Sequence, residues 1–309
     1  MNAGSEIDLL EKDNGLFITA EKNNSEKKKI EVDIAGLDIP TIWKYFMAVY
    51  REGYDEIKVN FQKEQKFESP YKFITQHALD KQYEKNQLQT PIEFLNSVVH
   101  RFIGFEVIEH RENYCIIKNI VEINEKEFDS SLRRVFLLIQ QMGEELLEAI
   151  EKDNPEILRH IHDIDINVDK FNDYCIRVLN KTGFKSTQKT STIFSTLFFL
   201  ELIGDEFKNI SHHLLRDKNI QIRNLKELAT LTVEHFNSFY DLFYKFSKEK
   251  TVEMSKRDMD IYTYLPRLYQ KKPGKKSKLT DEELEVFNHF RRITGIINSL
   301  VELKIELEV

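Results

Sequence analysis

Glycine and proline are scarce in this chain, and their scarcity constrains the fold more than any other sequence feature. Only 10 Gly and 6 Pro occur among 309 residues. Because these two residue types are the usual breakers of helices, their rarity favours long, uninterrupted helices. The effect is clearest from about residue 126 onward, where apolar residues recur every three or four positions, the spacing of an amphipathic helix.

Six amphipathic helices are predicted in this second part of the chain. Their predicted ranges are 128–152, 154–181, 186–215, 224–250, 254–270 (interrupted at Pro266) and 279–308. Thr280, followed three residues later by Glu283, gives the last helix a capping-box pattern. The helix order in 126–216 is loosely repeated in 221–308, so the helices form either one bundle or two three-helix units in tandem.

The first 125 residues are instead predicted to form short strands and short helices. A hairpin is predicted over 1–22, strands over 30–37 and 55–62, helices over 39–54 and 90–105, and a second hairpin over 106–120. Ile42, Tyr45, Phe46 and Val49 form the predicted apolar side of the first helix. Gly53 and Thr90 are the predicted C-cap and N-cap of the two helices. Residues 65–89 are polar and receive no assignment.

Composition narrows the class of protein. The net charge is −7, whereas a chain that binds nucleic acid over its whole surface is normally basic. The two cysteines, Cys115 and Cys175, are far apart and not at metal-ligand spacing, which is typical of a reduced cytosolic compartment. No run approaches 18 apolar residues, so we expect a soluble cytoplasmic protein without membrane insertion.

Acidic residues at helical spacing are the strongest candidates for a site. Glu201 and Asp205 lie one turn apart and extend an apolar stripe of Phe194, Leu197 and Phe198 that should face the core. Asp165 and Asp169 border the core face of the preceding helix. If these two helices are neighbours, the four carboxylates converge, and an oxygen-only cluster suits Mg, Mn or Fe. The alternative is a set of solvated acids, some of them paired with Lys208 or Lys170.

Motifs for enzymatic chemistry are missing from the sequence. It contains no G-x-S-x-G, P-loop, dinucleotide-binding or H-E-x-x-H pattern. No histidine follows a glutamate at the Glu-x-x-His spacing of di-iron bundles. The chain is therefore expected not to be an enzyme.

The stretch FLELIGDEFKNI (199–210) resembles the repeated signature of PhoU proteins, which regulate phosphate uptake. The match consists of Glu201, Asp205, Asn209 and Ile210. Residues 49–59, 100–110 and 131–150 are similar to archaeal members in order and spacing. The resemblance implies a mainly α fold of two tandem three-helix bundles (126–218 and 219–309), preceded by a small α/β region (27–125). It also implies a metal bound by Asp165, Asp169, Glu201 and Asp205 in the first bundle, the metal being Fe, Mn, Mg or Zn.

The second half departs from the family pattern, because Arg291 and Gly295 stand where its acids should be. Any metal is therefore expected in the first bundle alone. The resemblance further implies a non-enzymatic cytoplasmic regulator, a homodimer, which acts through contacts with the phosphate transporter ATPase subunit or a signalling protein such as a sensor kinase.

The N-terminal hairpin (1–26) resembles the second half of an AbrB-like domain. The basic DNA-facing first half of that domain is not found in this sequence. The alternative function is therefore an AbrB-type transcriptional regulator of phosphate genes, against which the acidic net charge argues.

Overall fold

The protein is described from a computed structural model, which covers residues 8–12, 15–19, 27–68, 88–121, 125–183, 187–217, 220–269 and 280–309. Within them the strands are β1 (Asp8–Lys12), β2 (Gly15–Thr19), β3 (Lys29–Asp33), β4 (Glu56–Asn60), β5 (Phe105–His110) and β6 (Tyr114–Asn119). The helices are α1 (Ile39–Arg51), α2 (Pro91–Val99), α3 (Glu125–Lys152), α4 (Arg159–Thr182), α5 (Thr187–Arg216), α6 (Lys226–Tyr244), α7 (Lys248–Tyr269) and α8 (Asp281–Glu308).

The chain divides into two compact units. The α/β unit comprises the chain up to Phe128 together with Asp173–Ser191, and the helical unit comprises Asp129–Asn172 with Thr192–Val309. The division therefore falls inside each of α3, α4 and α5. The four domains predicted from the sequence, with boundaries at 26, 125 and 218, stay a prediction.

Two sheets lie in the α/β unit. Strands β1 and β2 form the N-terminal antiparallel hairpin that the sequence predicts. The other four strands form one sheet in the order β3-β4-β6-β5. Strands β3 and β4 pair in parallel, which the intervening α1 makes feasible, since parallel strands need a crossover connection. The remaining pairs are antiparallel, with a register shift in β5 between Val107 and Glu109.

One hydrophobic core joins the four-stranded sheet to α1 and α2. It combines inward-facing strand residues such as Ile57, Val59 and Ile117 with helix residues such as Phe46 and Phe94. Alternate strand residues point the other way, because side chains along a strand alternate between faces. That other face carries the ion pairs Lys58–Glu31 and Lys118–Glu56 beside Tyr114 and Ile116.

Capping residues fix the ends of the two helices in this unit. Asp38 accepts a hydrogen bond from the Thr41 amide at 2.8 Å, and Gly53 follows α1 with a φ of +84°. Thr90 and Glu93 form a reciprocal capping box at the start of α2, with Pro91 in the first turn. The predicted N-cap Thr90 is confirmed, whereas the C-cap of α1 is Glu52 and Gly53 is the left-handed residue directly after it. Tyr45 was wrongly placed on the apolar side of α1, since it is 51% exposed.

In the helical unit, α3 and α6 pack closely against each other. A Cβ atom on Gly143 of α3 would lie 3.0 Å from Val233 Cγ2 of α6, so glycine permits the close approach. The Phe136 ring lies beside Phe236 and Phe239, with ring centroids 6.1 and 5.9 Å away. These contacts bury the apolar side of α6, as its helical spacing predicts.

Helix boundaries agree with the sequence in most of this unit and differ in two places. The capping box of Thr280 and Glu283 at the start of α8 is confirmed. The helix predicted over 224–250 instead ends at Tyr244, and α7 begins at Lys248. The predicted interruption at Pro266 is wrong, because the helical backbone of α7 continues to Tyr269.

The chain is therefore mainly helical, with a small four-stranded sheet near its N-terminus. Among the described residues, no helix combines the length and the apolar character needed to cross a lipid bilayer.

Candidate functional site

Helix α5 buries a different stripe from the one that its sequence first suggests. The residues that face the core are Ile193, Leu197, Leu200, Ile203, Phe207 and Ile210, each no more than 1% exposed. Phe194 is 42% exposed and Phe198 is 49% exposed. The expectation that these two phenylalanines face the core is therefore wrong. The two apolar stripes are adjacent on one helix, and only Leu197 of the predicted stripe lies inside.

The two phenylalanines belong to a face of α5 that also carries the acids. Helical geometry places positions 194, 198, 201, 202 and 205 along one side of the helix. We call these residues, Phe194, Phe198, Glu201, Leu202 and Asp205, the Phe194 face. All of them except the two exposed phenylalanines are half-buried. Glu201 and Asp205 thus extend an exposed apolar stripe and not the core stripe.

Asp165 of α4 lies directly beside this region of α5. It is only 3% exposed, which confirms that it borders the core. The close contact occurs at Gly204, where a Cβ atom would lie 3.3 Å from Val168 Cγ1 and 3.7 Å from Asp165 Oδ1. The absence of a side chain at Gly204 lets α4 and α5 approach, so the predicted neighbourhood of these two helices is confirmed.

Lys208 of α5 joins the acids on the two helices. Its Nζ atom donates a hydrogen bond to Asp165 Oδ2 at 2.8 Å and another to Asp205 Oδ1. The side chain of Lys208 is 23% exposed, so its ammonium group is largely withdrawn from water. The pairing of acids with Lys208, considered as an alternative from the sequence, is thus present. We call Lys208, Asp165, Asp169 and Asp205 the Lys208 cluster.

The charged groups of the Lys208 cluster shift the pKa values of one another. Burial, together with the negative charge of Asp169, raises the pKa of Asp165 to about 7, and Lys208 only partly opposes these two effects. Burial alone would lower the pKa of Lys208, but the charges of Asp165 and Asp205 outweigh that effect and raise it. Lys208 is therefore shared by two carboxyl groups, those of Asp165 and Asp205, and Asp165 gains or loses a proton near neutral pH.

The four acids predicted as metal ligands are only partly brought together. Lys208 bridges Asp165 and Asp205, and Asp169 acts on Asp165 through its charge. Glu201 lies further along the Phe194 face, half-buried. In the part of the chain that the structure describes, no group of three or more His, Cys, Asp or Glu side chains is arranged to hold a metal. Metal binding by these four residues stays a prediction.

The corresponding positions in the second half carry different residues. Arg291 is exposed on α8, and nothing lies within 4 Å of a Cβ atom built on Gly295. Asp260 of α7 is exposed, and the half-buried Asp258 has one carboxyl oxygen without a hydrogen-bond partner among the described residues. Burial raises the pKa of Asp258. None of these four positions reproduces the arrangement in which Lys208 bridges α4 and α5.

A second charged cluster, in the α/β unit, was not predicted from the sequence. Arg177 is fully buried, donates to the Tyr50 carbonyl at 2.8 Å, and lies 3.3 Å from Asp55 Oδ1. Asp55 also accepts a hydrogen bond from Lys181 Nζ and one from the backbone amide of Lys28 at 3.2 Å. We call these residues the Asp55 cluster. Arg177 lies in an otherwise amphipathic helix, so spacing alone gave no signal that it is buried.

Comparisons with known proteins do not extend these observations. No family model, no curated protein and no solved structure matches the chain significantly.

Proposed function

We propose that this chain is a non-enzymatic regulator of phosphate uptake, of the PhoU type, that acts through protein contacts. The observation that carries the proposal is the Phe194 face, where the acid pair Glu201 and Asp205 continues a stripe of two exposed phenylalanines. Large aromatic side chains are enriched in protein interfaces. Their position beside the family-like acid motif supports binding rather than chemistry.

The burial of Asp165 also supports this interpretation. A carboxyl group with a pKa near neutrality is a suitable general base, but a general base must reach its substrate. Asp165 is 3% exposed and already bonded to Lys208. We infer that Asp165 pairs with Lys208 inside the protein and does not act on a substrate.

Co-purification with the phosphate transporter ATPase subunit tests the proposed function. We expect the wild-type chain to retain the ATPase subunit under phosphate-rich or phosphate-poor conditions, and the Phe198→Glu variant to lose it. Met259→Glu is the matched control, because Met259 is a 61% exposed residue on α7. Retention in neither condition, or equal retention by Phe198→Glu, would contradict the proposal.

The contacts of Lys208 make the prediction of metal binding more specific. We propose that a divalent ion enters the Lys208 cluster only by displacing the lysine ammonium from Asp165 and Asp205. Removing that cation leaves the carboxylates with unbalanced charge, which a hard cation relieves. Titration of Mn²⁺ by calorimetry should show at least tenfold tighter binding to Lys208→Met than to wild type. Equal affinity, or stoichiometric metal in the purified wild type, would reject displacement.

The finer architecture belongs to the same proposal. We infer that α3, α4 and α5 form one three-helix set and α6, α7 and α8 another, in tandem, in a cytoplasmic homodimer. The helix lengths of 28, 24 and 30 residues in the first set and 19, 22 and 28 in the second support a repeat. A sedimentation mass of one chain would reject the dimer. The AbrB-type alternative stays a prediction, since the hairpin of β1 and β2 alone does not favour it.

A further inference from the structure

Three imidazole rings lie in a row where α5 meets α8 in the helical unit. The ring centroids of His212 and His213 are 6.0 Å apart, and those of His213 and His289 are 5.2 Å apart. His289 is 7% exposed, and its Nδ1 atom lies 2.5 Å from a carboxylate oxygen of Glu206, which accepts the hydrogen bond. Arg292 Nη1 lies 3.6 Å from the other oxygen of Glu206. Glu206 therefore holds one end of the row, and His213 lies in its middle.

Charged groups of both helices face His213, whose ring is half-buried. Burial and the positive charge of His289 lower the pKa of His213 below its ordinary value of 6.5. Glu285 opposes these two effects, and Arg216 adds to them. Burial and the charge of His213 in turn lower the pKa of His212. Since like charges at this distance disfavour one another, a proton on His213 is disfavoured while its ring stays beside His289.

His213 also lines a cavity of about 410 Å³ at the start of α8. The other residues that line the cavity are Arg216, Asp217, Asp281, Glu282 and Glu285. The three acids of α8 among them are exposed. The cavity thus gives the His213 side chain room to leave His289, and it places carboxylates, which favour the charged form of an imidazole, within the space that the ring would enter.

We propose that His213 is a pH-sensitive switch at the contact between α5 and α8. The neutral ring packs beside His289, whereas the protonated ring turns away from His289 into the cavity, toward Glu285. Because the pKa of His213 is lowered in the folded protein, the packed arrangement stabilises the fold above pH 6.5, and this contribution is lost as the pH falls below that value. The inference does not depend on the proposed role in phosphate uptake.

Proton NMR of the whole chain, deuterated except for its histidine rings, follows the switch in the wild-type protein. Replacing each of the nine histidines by Gln in turn assigns the signals. We expect an Overhauser effect between the rings of His213 and His289 at about pH 8 that is lost at about pH 5.5. We also expect the titration midpoint of His213 to lie below its ordinary value of 6.5.

Two variants separate the contributions of the neighbouring charges. His289→Gln removes the positive neighbour, so His213 should bind its proton about threefold more tightly than in the wild type. Glu285→Gln removes the acid toward which the ring turns, so the proton should bind more weakly. Glu302→Gln, which changes an exposed acid further along α8, is the matched control and should leave the midpoint of His213 unchanged.

Each of three results would overturn the switch. A His213 midpoint at or above 6.5 that His289→Gln does not move would show that the two rings do not affect each other's protonation. An Overhauser effect that persists at about pH 5.5 would show that the protonated ring stays beside His289. Equal midpoints for Glu285→Gln and Glu302→Gln would show that the ring does not turn toward Glu285. Circular dichroism checks the fold of each variant, and the first two measurements on the wild type decide the proposal even if a variant does not fold.

Discussion

The Lys208 cluster of the helical unit and the Asp55 cluster of the α/β unit bury charged side chains in opposite arrangements. In the first, one lysine is bonded to two carboxyl groups, those of Asp165 and Asp205, and the burial of Asp165 raises its pKa. In the second, one carboxylate faces the side chains of Arg177 and Lys181. Each cluster lies within one unit and draws two residues from α4, Asp165 and Asp169 in the first and Arg177 and Lys181 in the second.

The difference lies in how completely each cluster is enclosed. The Arg177 guanidinium lies 4.9 Å from the ring centroids of both Tyr50 and Phe105, so aromatic faces surround the excess positive charge. The Lys208 cluster instead borders the Phe194 face, because Asp205 belongs to both. We infer that the enclosed Asp55 cluster stabilises the fold, whereas the Lys208 cluster remains able to bind a ligand or a partner.

Removing the enclosed cation should have the largest effect. Arg177→Met leaves Asp55 buried without its guanidinium partner, and breaking a buried pair by removing one member typically costs about 4 kcal/mol. Urea unfolding followed by fluorescence of Trp43, the single tryptophan, measures the loss in the α/β unit. Arg111→Met is the control, because Arg111 is 64% exposed and its surface pair with Glu109 should contribute less than about 1 kcal/mol. A loss below that for Arg177→Met would contradict the structural role of the Asp55 cluster.

The Asp165→Asn variant tests the raised pKa of Asp165 in the Lys208 cluster. The folded-state pKa of Asp165, about 7, lies above the value of an unfolded carboxyl, so its stabilising contribution is complete at acid pH and is lost as pH rises toward 7. Between pH 5 and pH 8 the wild type should lose about 3 kcal/mol more unfolding free energy than Asp165→Asn. Parallel pH profiles of the two proteins would show that Lys208 neutralises the cluster completely.

His235 of α6 should show the opposite pH dependence, because it is a buried base without a hydrogen-bond partner for either ring nitrogen in the described part of the chain. Burial lowers its pKa to about 4, so its contribution is present above the ordinary pKa and is lost as pH falls. From pH 7 to pH 5 the wild type should lose about 2 kcal/mol more than His235→Leu. Thermal unfolding at several pH values measures this loss. A difference in unfolding free energy between the two proteins that does not change with pH would place water or another partner at the imidazole.

The smallest expected effect compares two helix glycines, one in each half of the helical unit. Gly295→Ala should stabilise the protein by up to about 1 kcal/mol, since alanine favours the helix and the space around Gly295 is open. At Gly204 the new methyl group would lie 3.3 Å from Val168 Cγ1, so strain offsets that gain. Chemical denaturation of both variants measures the difference, and equal gains would show that the α4–α5 contact is loose.

Local sequence patterns predicted most of the secondary structure because they act over one or two turns. The caps at Thr90 and Thr280 and the glycine at 53 are decided by neighbouring residues. The break between Tyr244 and Lys248 and the continuous backbone at Pro266 were missed. Tertiary packing, which no short window records, decides such boundaries.

The candidate site was predicted in part for a similar reason. Spacing placed Glu201 and Asp205 on one side of α5, and the composition around Asp165 correctly indicated the border of the core. Spacing could not show which of two adjacent apolar stripes faces inward, so Phe194 and Phe198 were assigned to the wrong side. A signal was present in the small residue Gly204, which marks the side of α5 that approaches another helix.

Titration of the Asp165 side-chain carboxyl by carbon-13 NMR tests the raised pKa of Asp165 in the Lys208 cluster most directly. We expect an apparent pKa of about 7, with Asp165→Asn removing the corresponding signal. An apparent pKa at or below the ordinary value of about 4 would mean that Lys208 outweighs both the burial of Asp165 and the charge of Asp169, and would contradict the raised pKa of Asp165.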